Sequence, residues 1–146
     1  DALCEQGRYG QKTGKGYYLY PDGRTAVSDP EVEALIVEKA REKGINRRDI
    51  SEQEIVERCM YVMINEGAKI LEEGIAQRSS DVDVVWIYGY GFPVYRGGPM
   101  FWADQVGLDK ILEAIKGYHQ RLGGAQWEPA PLLERLVKEG KGFGSL

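Results

Sequence analysis

Val85-Trp86-Ile87-Tyr88-Gly89-Tyr90-Gly91-Phe92-Pro93-Val94-Tyr95-Arg96-Gly97-Gly98-Pro99-Met100-Phe101-Trp102 gathers two of the chain's three Trp, three of its nine Tyr and two of its three Phe. Four glycines and two prolines are threaded among these rings. Glycine reaches backbone conformations closed to other residues and proline fixes its own, so this is the composition of a tightly turning loop. Large rings gain most from burial. The stretch is therefore expected at the centre of a core, with the rest of the chain arranged around it.

Helix signals lie on both sides. Upstream, Ser79 or Ser80 opens a short helix whose first turn holds Asp81 and Asp83, where negative charge suits the helix dipole. It leads through Val84 to Ile87 into the loop. Farther upstream, Ser51 and Glu54 form a capping box, with Ile50 and Ile55 placed as a hydrophobic staple. Val56, Cys59, Met60, Met63, Gly67, Ile70 and Leu71 then recur at three and four residues, which predicts one apolar face on a helix of roughly six turns ended by Gly74. Gly67 on that face leaves room for another backbone. Asp29 and Pro30 start an earlier helix that Gly44 ends. Downstream, Pro99 opens a helix that Gly107 breaks, a second runs from Leu108 to Leu122, and a last one carries Leu132, Leu133, Leu136 and Val137 before Gly140.

The opening residues 1–27 read as an extended, irregular arm whose Tyr17, Tyr18 and Tyr20 dock on the body, closed by a Pro21-Asp22-Gly23 turn. Residues 28–146 read as the helical domain. No segment alternates apolar and polar residues, so the fold class is all-α, with five or six helices around the Gly/Pro/aromatic loop.

Composition narrows the function. A chain of 146 residues is one ordinary domain, able to bury about 70% of the surface its unfolded form exposes. The net charge of -4 comes from 23 acidic and 19 basic residues that are mixed along the chain, which leaves no footprint for nucleic acid or an anionic membrane. Apolar runs are too short for a membrane span, and the start lacks a signal-peptide pattern. Two cysteines, Cys4 expected exposed and Cys59 buried, match no zinc spacing and point to a reducing, cytoplasmic compartment.

Candidate chemistry is sparse. Gly14-Lys15-Gly16 fails as a phosphate loop, because Gly10 is one residue too close and Gly16 stands where Ser or Thr is needed. Gly89-Tyr90-Gly91 fails as a dinucleotide fingerprint, because Val94 holds the last glycine position and a helix precedes it. His119 is a lone histidine near a helix end, read as a surface or dipole residue. Glu66 sits at the edge of the long helix's apolar face, where a carboxylate commonly holds an arginine, and Arg96 is the partner expected to anchor the loop there. Residues alone thus describe a helical interaction or substrate-covering domain, with no metal site and no nucleophile paired with a base.

Asn65-Glu66-Gly67-Ala68-Lys69-Ile70-Leu71-Glu72-Glu73-Gly74-Ile75, then Asp81-Val82-Asp83, then Gly89 through Met100 and Ala103-Asp104 resemble the C-terminal helical domain of 3-hydroxyacyl-CoA dehydrogenases. The Phe92-Pro93-Val94-Tyr95-Arg96-Gly97-Gly98-Pro99 run resembles the second helical repeat of the multifunctional β-oxidation enzymes. Gly10 to Tyr18 resembles the end of the first repeat, so the likeness covers nearly the whole chain. Gly140-Lys141-Gly142-Phe143-Gly144 faintly echoes Gly7-Arg8-Tyr9-Gly10, as if the chain began in the tail of one unit and ran through a second.

The resemblance implies a parent oxidoreductase that uses NAD to oxidise 3-hydroxyacyl-CoA, with the NAD held by a Rossmann domain outside this chain. The first repeat's catalytic asparagine is matched here by Glu57. This repeat is then non-catalytic and binds no cofactor itself. It supports the active site of the parent and packs against the Rossmann domain and first helical repeat. Tyr90, Phe92, Pro93, Tyr95, Arg96, Gly97 and Gly98 form its substrate-binding or structural loop, with Glu66 as helix anchor and acyl-CoA as the parent's ligand. The fragment alone is expected to self-associate into a homo-oligomer. The alternative is a free-standing acyl-CoA-binding or dimerisation module.

Overall fold

A computed structural model describes residues 2–146. They form two compact units, one ending at Asp49 and the other spanning Ile50–Leu146. Among the described residues the only regular secondary structure is helical, in seven α-helices and four single 3-10 turns.

The first unit holds α1 (Ala2–Glu5), a 3-10 turn and α2 (Pro30–Glu42). Short bridges tie Gly10 to Lys15, Lys15 to Leu19 and Leu19 to Val27, so the arm is folded back on itself rather than extended. The turn at Pro21 forms, with Gly23 N–H donating to Tyr20 O at 3.0 Å. Gly16 needs to be glycine because a Cβ there would lie 2.6 Å from Gly10 Cα. Arg8, noted in the sequence only as part of a glycine-rich echo, is buried and paired with the buried Asp29. Burial pushes the Asp29 carboxyl pKa up, but the Arg8 guanidinium and the Glu31 N–H outweigh it and hold the group below its ordinary value. Asp29 also caps α2 by accepting from Glu31 N at 3.0 Å, with Pro30 in the first turn as expected.

The second unit is built on α3 (Glu52–Glu72), α4 (Ser79–Tyr90), α5 (Pro99–Val106), α6 (Leu108–Leu122) and α7 (Pro131–Glu139). Ser51 caps α3 by accepting from Glu54 N at 3.2 Å. Its core joins Ile64 and Ala68 of α3 to Met100 and Ala103 of α5, Ile111 and Ile115 of α6, and Leu133 and Leu136 of α7. Phe143, fully buried, seals it. Asp104 holds that residue by accepting from Phe143 N and Gly144 N at 2.8 Å each, while the Ser79 hydroxyl donates to Phe143 O at 3.1 Å.

The inward face of α3 differs from the expected stripe. Tyr61, Ile64, Asn65 and Ala68 point inward, whereas Val56 and Cys59 are exposed and Met60, Met63, Ile70 and Leu71 are half-buried. The helix is apolar on more than one side, and the core takes the side that includes a polar residue able to satisfy itself. Gly67 does face inward, but a Cβ there would meet the Met100 sulfur at 2.6 Å, so a side chain fills the space and no backbone does.

The aromatic stretch is split between core and surface, with Phe92, Pro99 and Met100 buried and Trp86 and Trp102 packed against the core. α4 continues to Tyr90, because one interior glycine costs a helix only about 1 kcal/mol. Gly91 (φ 74°) then ends it, with Phe92 N–H donating to Trp86 O at 3.0 Å, and the loop proper is residues 91–98. Tyr88, Tyr90, Val94, Tyr95 and Phe101 face outward. No helix among the described residues is long and apolar enough to cross a membrane.

Candidate functional site

The loop hangs on Asp83. Its buried carboxylate accepts from Met100 N at 2.7 Å and Phe101 N at 3.1 Å, so it caps the start of α5 across the loop. Burial raises the Asp83 pKa, the two N–H donors pull it back, and Asp104 nearby adds to the rise. Gly98 (φ 99°) passes so close that a Cβ there would overlap the Asp83 side chain. Gly97 (φ 76°) donates to Val94 O at 3.0 Å, and a Cβ there would meet the Phe101 ring at 2.5 Å.

The other anticipated residues separate into floor and rim. Phe92 is buried, at 8% exposure. Tyr90 packs its ring 5.0 Å from Trp86 yet stays 72% exposed, Pro93 leads into the 3-10 turn Val94–Arg96, and Tyr95 is 84% exposed. Arg96 is exposed and lies 5.7 Å over the Tyr95 ring.

Glu66 is exposed and reaches Lys69 at 3.9 Å, one helical turn along α3. The expected Glu66–Arg96 anchor therefore does not form: Glu66 sits on the outer face of α3, and the work assigned to Arg96 is done by Asp83. Arg96→Ala is accordingly expected to shift unfolding free energy by no more than about 0.5 kcal/mol, read as an unchanged urea midpoint. A loss above about 1.5 kcal/mol, the usual worth of a hydrogen bond to a charged group, would restore the anchor.

Two further groups have partners that the sequence did not reveal. Asn65, fully buried, donates through Nδ2 to Gln126 O at 3.2 Å and Glu128 O at 2.7 Å, and accepts from Ala130 N at 2.8 Å. It pins the turn Ala125–Trp127 and the entry to α7. Its position within an apolar period, where a polar side chain must be satisfied, was the available signal.

Glu57 is the second. It accepts from the Tyr118 hydroxyl at 2.8 Å, and the Tyr118 ring packs 4.7 Å from Trp127. Burial first, then this hydrogen bond and the Glu57 charge, push the Tyr118 pKa up to about 12. A raised phenol pKa stabilises the fold fully below the unfolded value of 10.0, and the contribution is lost as pH rises through about 12. Glu57→Gln should bring Tyr118 back toward ordinary tyrosine. Ultraviolet difference titration reads it as phenolate appearing at lower pH than in the parent; an unmoved titration would mean that burial alone sets the shift.

Neither glycine-rich segment fits a dinucleotide. Gly89 lies inside a helix, Gly91 ends one, and at the next helix start the Met100 and Phe101 N–H groups are already held by Asp83. In the arm, Gly16 is packed against Gly10 and its carbonyl accepts from Arg8 Nε at 3.1 Å. No metal-binding group of His, Cys, Asp or Glu occurs among the described residues.

Fold and site together define an all-helical domain with a capped glycine loop and an exposed aromatic corner. Residues 55–143 match the family model for the 3-hydroxyacyl-CoA dehydrogenase C-terminal domain, and the chain belongs to that family. It is 46% identical over 143 residues to the peroxisomal bifunctional enzymes of Danio rerio and Homo sapiens, covering 96% of this chain and 20% of each relative. The glyoxysomal fatty acid beta-oxidation multifunctional protein MFP-a of Brassica napus is 40% identical over 126 residues, covering 83% of this chain and 17% of that protein. The chain thus spans about a fifth of the length of these relatives. Among solved structures, the dehydrogenase part of multifunctional enzyme 1 from C. elegans matches with TM-score 0.66 and 30% identity, over 92% of this chain and 31% of that one. (S)-3-hydroxybutyryl-CoA dehydrogenase PaaH1 from Ralstonia eutropha matches with TM-score 0.54 and 28% identity, over 79% of this chain and 40% of that one.

Proposed function

We propose that this chain is the non-catalytic second helical repeat of a multifunctional enzyme that oxidises 3-hydroxyacyl-CoA with NAD in fatty acid β-oxidation. Its task is to support the active site by packing against the neighbouring repeat and the Rossmann domain. The observation that carries this reading is Glu57. At the position matched to the first repeat's asparagine stands a carboxylate engaged by Tyr118. The names of the relatives favour a peroxisomal or glyoxysomal setting over the cytoplasm that composition alone suggests.

Repeat organisation has support inside the chain. After α1, Gly7 N–H donates to Cys4 O and Arg8 N–H to Leu3 O, at 2.9 and 3.0 Å. After α7, Gly140 N–H donates to Val137 O and Lys141 N–H to Leu136 O, at 3.1 and 3.0 Å. Both glycines are left-handed, at φ 68° and 64°. The same helix end, followed by a basic residue and an aromatic, thus occurs twice. This supports reading residues 1–27 as the tail of a preceding repeat and 28–146 as the next one.

Assayed alone with a 3-hydroxyacyl-CoA and NAD, the chain is expected to give no turnover, because its described residues supply no base paired with a substrate-facing donor. NADH formation by a clean preparation would overturn the non-catalytic reading. A second reading, acyl-CoA binding at the aromatic corner, is favoured by Tyr88, Tyr90 and Tyr95 standing outward and by Arg96, which lies over the Tyr95 ring and reaches no carboxylate among the described residues. A thermal-shift titration separates the two: stabilisation by acyl-CoA that Arg96→Ala abolishes supports binding, and no response supports the scaffold.

A further inference from the structure

We propose that Arg47-Arg48 is a cleavage site for a trypsin-like endoprotease, at which the chain is cut to leave the Ile50–Leu146 unit folded. This inference is independent of the reading above. It starts from how the two flanking helices end. α2 closes on its own residues, with Gly44 N–H donating to Arg41 O at 3.0 Å and Ile45 N–H to Ala40 O at 2.8 Å. α3 opens on Ser51. Between them residues 45–51 take no regular secondary structure, and every residue from 43 to 53 is exposed. The boundary between the two compact units falls in this same run, after Asp49.

Such a segment can enter a protease cleft without breaking either helix, and exposed connections of this kind are where nicking concentrates. Arg48 is engaged, its Nη1 donating to Asp49 O at 3.0 Å, so Arg47 is the side chain presented for recognition. The other basic residues of the first unit that lie outside its α-helices and follow Arg8 are held at the backbone. Lys15 O accepts from Gly10 N at 3.0 Å, Arg24 N is held by Asp22 Oδ1 at 2.9 Å, Lys43 N donates to Lys39 O at 3.2 Å, and Lys12 lies within the 3-10 turn Gln11–Thr13. In the cut, the protease directs water onto the arginine carbonyl. The C–N bond breaks, hydroxyl stays on the new carboxyl terminus, and the proton goes to the new amino terminus.

The two products should then differ. The hydrophobic core cluster from Tyr61 to Phe143 lies within the second unit. In the first, Val32 is the one buried hydrophobic side chain among the described residues. The C-terminal product keeps its core, whereas a piece of about fifty residues with so little buried apolar surface is near the limit of independent folding.

Limited digestion of the whole chain with trypsin, followed by intact mass spectrometry, tests this. The first and lasting product should begin at Arg48 or Asp49 and run to Leu146. Near-ultraviolet circular dichroism from Trp86, Trp102 and Trp127 should survive the cut. The double variant Arg47→Gln, Arg48→Gln should slow the first cut at least tenfold. A first cut at any other lysine or arginine, exposed Arg96 and Lys141 included, a C-terminal product degraded as fast as it forms, or a variant cut at the parent rate would each overturn the proposal.

Discussion

Asn65→Ala is expected to lower unfolding free energy by about 3 to 5 kcal/mol, a large share of the 5–15 kcal/mol typical of a domain. The amide serves three main-chain groups from residues more than sixty positions away, and truncation strands all of them. Each buried group left without a partner costs about 1 to 3 kcal/mol, partly recovered where a neighbour or water reaches it. Asn65→Asp sharpens the test, because a carboxylate keeps the acceptor for Ala130 N but faces Gln126 O and Glu128 O with no donor. That variant should be worse at neutral pH than at acid pH, where the protonated group regains one donor. Urea denaturation at two pH values reads both changes. A loss below about 1 kcal/mol for Asn65→Ala would mean that the turn Ala125–Trp127 holds itself.

Gly98→Ala should be nearly as damaging, at about 3 kcal/mol, and the same logic ranks its neighbours. An L-residue at φ 99° is strained, by about 1 to 3 kcal/mol, and the new methyl would collide with Asp83, which is fixed by its own hydrogen bonds. Gly97→Ala carries a comparable strain but meets only the ring of Phe101, which is exposed and can swing aside. Gly91→Ala meets nothing within 4 Å and suffers the left-handed cost alone. Thermal unfolding should therefore order the losses as Gly98, then Gly97, then Gly91. If Gly91→Ala proved the worst, the ending of α4, rather than the Asp83 cap, would be what holds the loop.

These residues show why the sequence was readable in one respect and opaque in another. Helix ends were legible because their chemistry is local: Asp29 and Ser51 meet N–H groups two and three residues ahead, and Gly140 meets a carbonyl three behind. Pro99 and Gly107 act where they stand. The inward face of α3 was not legible, since Val56, Cys59 and Met63 are as apolar as Tyr61, Ile64 and Ala68, and only α5, α6 and α7 decide between them. Asp83 and Asn65 were hidden for a related reason, their partners lying seventeen to sixty-five residues away. The aromatic stretch misled because ring content measures how much a segment gains from being covered. It does not say whether its own unit does the covering.

The Asp104 grip on Phe143 and Gly144 has a meaning for how the end of the second unit tolerates change. The carboxylate recognises main-chain N–H groups, so the tail is held as a tethered peptide ligand whose only side-chain credential is one phenyl ring. Attachment through the preceding helix keeps its local concentration high, which lets few contacts suffice. Lys141 and Leu146, both exposed, are outside that recognition and open to substitution. Glycine at 142 is constrained, because a Cβ there would lie 2.7 Å from the Asp104 carboxylate.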